Sequence, residues 1–65
     1  MQLMLNGEPL ETTAVSVAEL VQEQVSDAAR VAVVVNDCVV PVAVHATMRL
    51  HAGDRVELLI FAGGG

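Results

Sequence analysis

Arg55-Val56-Glu57-Leu58-Leu59-Ile60-Phe61 runs without a polar break into Ala62-Gly63-Gly64-Gly65. Val56, Leu58 and Ile60 alternate with Arg55, Glu57, Leu59 and Phe61, which is the period-two pattern of a strand. The first set should face a core. Leu59 and Phe61 then fall on the opposite face, where water gives them no reason to be apolar. Ala52-Gly53-Asp54 supplies the turn that starts this strand. At its other end three glycines follow, and without Cβ atoms they can thread a channel too narrow for a side chain. The plain alternative is a frayed end. The favoured division is a folded domain over residues 1–61 and a flexible tail over 62–65, with the α-carboxylate of Gly65 at the tip. A terminal carboxylate is an anion at neutral pH and needs activation before it accepts a nucleophile.

Upstream, Gln2-Leu3-Met4-Leu5 leads into Asn6-Gly7, a pair suited to the positive φ angles of a two-residue hairpin. Glu8-Pro9-Leu10-Glu11 is the return strand, and Pro9, which lacks an N–H, assigns it to a sheet edge. Ser16-Val17-Ala18-Glu19 has the spacing of a capping box. Val17, Leu20, Val21 and Val25 recur behind it at helical spacing, so a helix is predicted over Val17 to Val25. Val31 to Val35 is a continuous β-branched run suited to an interior strand. Asn36-Asp37 is a second turn, Cys38-Val39-Val40 a short partner strand, and Pro41 its end. Val42 to Leu50 reads as irregular, with one helical turn. The predicted order is strand, strand, helix, strand, strand, strand. Each element has one apolar face to bury, so an α+β domain follows, with a mixed sheet of about five strands over one helix. Its first and last strands can lie side by side and parallel.

Composition narrows the function. The 65 residues make one small domain with little room for a spacious cleft. Eight acids stand against Arg30, Arg49 and Arg55, for a net charge of −5. That balance opposes binding to a phosphate backbone, and Phe61 is the lone aromatic, so nucleic acid is not an expected partner. No apolar run approaches the ~20 residues that span a bilayer, so no membrane partner is expected. The single Cys38 excludes an internal disulfide framework and fits a reducing cytoplasm. With no lysine, the chain offers no side-chain amine to its own tail. No nucleophile–base set and no phosphate-binding glycine loop is present, so a catalyst is not expected.

The hairpin from Met1 to Glu11, Val35-Asn36 followed by Val39-Val40-Pro41, Gly53-Asp54-Arg55-Val56-Glu57 and the terminal Gly64-Gly65, taken in this order, resemble the ThiS family of sulfur carrier proteins. The resemblance covers nearly the whole chain. It implies a ubiquitin-like β-grasp fold and a place in thiamine biosynthesis. It further implies that Gly65 is adenylated by an E1-like ThiF-type adenylyltransferase using ATP and magnesium, and converted to a thiocarboxylate. A ThiG-type thiazole synthase then takes the sulfur. The chain itself would bind no cofactor and no metal. Gly64 is carried over as the partner of Gly65, with Gly63 an additional glycine. Two other readings remain open: a MoaD-like small subunit of molybdopterin synthase, and a non-covalent β-grasp interaction module. Val42-Ala43-Val44 departs from a family pattern that tends to be polar there.

The remaining chemically distinctive residues read as structural. Cys38 has no neighbouring cation in sequence and lies between strand residues, so packing is expected. His45 and His51 lack the spacing of a ligand pair. Glu19 and Glu23 are expected on a solvated helix face. Leu59 and Phe61, next to the tail, are the expected partner-docking residues.

Overall fold

A computed structural model describes residues 1–25 and 30–61. The described chain forms β1 (Gln2–Leu5), β2 (Glu8–Glu11), α1 (Val17–Gln24), β3 (Arg30–Val35), β4 (Cys38–Val40) and β5 (Arg55–Phe61), with a 3-10 turn at Val42–Val44 before β5. The strands make one sheet in the order β2-β1-β5-β3-β4. β1 and β5 are parallel, and every other pairing is antiparallel. A mixed sheet of this order with one helix across it is a ubiquitin-like β-grasp.

Both tight hairpins follow from local chemistry. Asn6 and Gly7 have φ of 49° and 83°, and Asn36 and Asp37 have φ of 50° and 69°. Two successive positive φ angles match the right-handed twist of the flanking strands, and Asn, Asp and Gly tolerate them best. Pro9, on the edge strand β2, stands opposite Met4 of β1, so its missing N–H costs no ladder bond within the interior of the sheet.

The helix starts where the sequence indicates, with one difference. Ser16 Oγ accepts from the Glu19 backbone N–H at 3.2 Å. The Glu19 carboxylate, however, accepts from the N–H of Val15 at 3.3 Å, one residue before the cap. Ser16 also bridges to Arg49, so the helix start is tied to the segment entering β5. Gln24 is the last helical residue, and Val25 caps the helix with its N–H on the Val21 carbonyl at 2.8 Å.

Leu3, Val17, Leu20, Val33 and Val56 are the largest fully buried side chains, joined in the core by Val35, Val40, Leu50 and Leu58. They come from the helix, from one face of the sheet and, with Leu50, from the segment that enters β5. His45 is buried beside them, and its Nε2 lies 3.1 Å from the Val40 carbonyl. Its own carbonyl accepts from Ala18 N–H at 2.9 Å, which ties the chain after β4 to the helix. The irregular segment is therefore a strap across the helix start.

Two expectations need correction. Ile60 was assigned to the core by alternation, yet it is 55% exposed. β5 runs past the buried cluster, whose last β5 member is Leu58. Cys38 is exposed rather than packed. It stands beside the Asn36-Asp37 turn on an edge strand, and of that strand only Val40 reaches the core.

Candidate functional site

The tail residues, with Gly63, Gly64 and Gly65, lie outside the described residues. Their attachment point does not. Phe61 ends β5, and β5 is the central strand, held between β1 and β3. The tail's root is thereby fixed to the most constrained element of the sheet. Asn6 and Asn36 brace β5 from either side, Asn36 at its start and Asn6 further along. The Asn6 side chain accepts from Leu58 N–H at 2.9 Å and donates to the Leu58 carbonyl at 3.4 Å. Asn36 Oδ1 accepts from Arg55 N–H at 3.0 Å, and its Nδ2 donates to Asp54 Oδ1 at 3.0 Å.

On the sheet face away from the helix, Leu59 is 48% and Phe61 55% exposed. Cross-strand register places Ala32 opposite Leu59 and Arg30 opposite Phe61. Val39 on β4, at 74% exposure, pairs with Val34. An apolar surface thus spreads from the tail root across β3 to the edge. Ile60 adds a further exposed apolar side chain on the other face, so the root of the tail is apolar on both sides. That second contribution was not legible from alternation alone.

The other end of the open face is polar. Asp37 and Arg55 pair at 3.0 Å, and with Asn6, Gly7 and Glu57 they border an open cleft of about 430 Å³. Arg55 and Phe61 are the two ends of β5, so cleft and tail root are about 20 Å apart at ~3.3 Å per residue. Cys38 belongs to the cleft end as well, paired with Val35 at the hairpin. The histidines are engaged away from the tail root: His45 is committed to the Val40 carbonyl and His51 lies near Asp54. Among the described residues no group of His, Cys, Asp and Glu has the arrangement of a metal site, and no helix is long and apolar enough to cross a membrane.

The arrangement is a rigid platform with its distinctive chemistry at one end: a central strand, an apolar collar, and a glycine thread that follows in sequence. The model of the ThiS family matches residues 3–65. Among solved structures, the chain is similar to the thiamine biosynthesis protein (ThiS) from Geobacter metallireducens, with 33% identity, all of both chains covered and a TM-score of 0.82. Comparison with curated proteins gives no match.

Proposed function

This chain belongs to the ThiS family, and from that premise we propose that it is a sulfur carrier of thiamine biosynthesis whose Gly65 is loaded with sulfur by partner enzymes. The observation that carries this reading is a family match that runs through the glycine thread to Gly65 itself. The exposed collar of Leu59 and Phe61 on the strand leading into that thread supports it.

The chemistry follows from the functional group. A carboxylate is a poor electrophile, because its charge is delocalised and it has no good leaving group. An E1-like adenylyltransferase joins the Gly65 carboxylate to the α-phosphorus of ATP, with magnesium, and pyrophosphate departs. A sulfur nucleophile then attacks the acyl carbon and AMP leaves, generating the thiocarboxylate. A thiazole synthase takes the sulfur from it. The domain over 1–61 acts as the handle and the tail over 62–65 as the thread, with Gly63 and Gly64 free of side chains where the channel is narrow. From Phe61 to Gly65 the extended chain reaches at most about 17 Å at ~3.3–3.6 Å per residue, enough to enter a buried site while the domain stays outside. The chain is a co-substrate in this scheme, working in the cytoplasm with no cofactor of its own.

Intact-mass analysis tests the proposal. After incubation with the cognate activating enzyme, ATP, magnesium and sulfide, the C-terminal peptide should carry one oxygen-for-sulfur exchange. A variant lacking Gly64 and Gly65 should fold with an unchanged midpoint and never acquire it. Unchanged cellular function in that variant would favour a non-covalent interaction module. Replacing Gly64 with Val should leave the fold intact and slow loading.

A further inference from the structure

Arg30 stands directly opposite Phe61 in the β3–β5 ladder. Opposite residues of an antiparallel pair share a face, with Cβ atoms about 4.5–5.5 Å apart. Arg30 is therefore on the open face, beside the last described residue before the tail, and it is exposed. The next rows of that face are Ala32 with Leu59 and Val34 with Glu57. Moving away from the tail root, the surface reads cation, apolar step, carboxylate.

The other two arginines are placed differently. Arg55 lies at the far end of β5 and is engaged with Asp37 at 3.0 Å. Arg49 sits in the strap, in the bridge to Ser16. Among the described residues Arg30 makes no ion pair. In a chain of net charge −5, a cation at the edge of the apolar collar is a local reversal of sign.

We propose that Arg30 is a specificity-determining residue for the enzymes that take the tail, pairing with a partner carboxylate at the rim of the apolar surface that receives Leu59 and Phe61. This rests on the carrier reading. The guanidinium fork matches a carboxylate in two parallel hydrogen bonds, and the apolar collar removes water from around them. The pair also fixes orientation. A carrier docked the wrong way round presents Glu57 to the partner's carboxylate, and like charges repel. Arg30 thus aligns the thread with the channel without touching the reacting atoms. The partner surface it fits is an apolar patch with an acidic rim beside the channel mouth.

The test compares Arg30→Glu with Arg49→Glu, which change net charge identically, in loading by the cognate activating enzyme with ATP, magnesium and sulfide. Arg30→Glu should raise the KM for the carrier by roughly tenfold or more with kcat little changed. Arg49→Glu should behave as the unaltered chain. Arg30→Lys should recover part of the loss, and Arg30→Gln, which removes the charge without reversing it, should fall between. Raising salt should increase the KM of the unaltered chain and narrow its advantage over Arg30→Gln. Equal KM values for Arg30→Glu and Arg49→Glu, in a system that loads the unaltered chain, overturn this inference alone. If Arg30→Glu does not fold, Arg30→Gln against Arg49→Gln decides in the same way. An unaltered chain that is never loaded overturns the carrier reading, and this inference with it.

Discussion

The side-chain amide of Asn6 grips the backbone of Leu58 from both sides, accepting its N–H at 2.9 Å and donating to its carbonyl at 3.4 Å. Two residues 52 positions apart are joined as if β1 continued for another rung. The chain itself has already turned away into the hairpin, with Asn6 at a φ of 49°. One residue therefore makes the turn and extends the ladder that holds the central strand.

Replacing Asn6 separates these two roles. Asn6→Gly keeps the turn and loses the bonds to Leu58, at about 1–2 kcal/mol. Asn6→Ala loses the same bonds and also the local hydrogen bonding by which Asn tolerates the left-handed region, and should cost about 2–4 kcal/mol in all. Denaturant midpoints of the two variants measure the difference. Equal losses would show that the turn conformation contributes nothing.

Neighbouring residues of β5 should respond in opposite ways. Leu58 belongs to the buried core and Ile60 does not. Leu58→Ala is expected to destabilise by about 2–5 kcal/mol, a large part of the stability of so small a domain. Ile60→Thr should stay within about 0.5 kcal/mol. Thermal unfolding of both distinguishes the observed burial from one dictated by alternation.

At the collar, Leu59→Ser and Phe61→Ser should leave the unfolding midpoint nearly unchanged, because both side chains are about half exposed. Their effect belongs to association. Each should weaken binding to the activating enzyme by roughly tenfold, the cost of losing one apolar anchor. Titration calorimetry with the unloaded carrier reads this directly, and unaltered affinity for both variants would remove the collar from the docking surface.

Cys38→Ser should load with sulfur normally. Phe61 lies opposite Arg30 and Cys38 opposite Val35, so five steps of β3 and two strand spacings separate Cys38 from the tail root. That is roughly 19 Å, beyond the about 17 Å that the chain from Phe61 to Gly65 reaches when fully extended. A thioester between Gly65 and the thiol of its own chain would require the whole tail to be drawn out straight, at a large cost in chain entropy. A loading rate that fell in Cys38→Ser would show that the thiol takes part in loading.

Much of the fold was legible because local signals agreed with one another. Asn6-Gly7 and Asn36-Asp37 announced hairpins, Pro9 an edge, and Ser16 a helix start, each through a backbone preference that tertiary packing did not override. Alternation in β5 located Val56 and Leu58 correctly and failed at Ile60, since a period reports which face a residue is on and not how far the core extends along that face. Cys38 failed for a similar reason: position within a strand does not reveal whether anything covers it. The roles of Asn6, Asn36 and His45 were not legible at all. Their partners are 52, up to 19 and five residues away, and no local pattern marks a side chain that bonds to a distant backbone. For the site, the exposure of Leu59 and Phe61 could be read from β5 alone, whereas Arg30 acquires its meaning only from register with Phe61.

The sheet order β2-β1-β5-β3-β4 puts the fifth strand of the described chain in the middle. Without β5, β1–β2 and β3–β4 are two hairpins with no ladder of hydrogen bonds between them. Closure is the event that unites the halves, and it requires a contact between distant parts of the chain. A product truncated ahead of residue 55 therefore lacks both the seam of the domain and the glycine thread. A break ahead of β5 thus removes platform and thread together, whereas a break beyond Phe61 removes the thread alone and leaves the sheet whole.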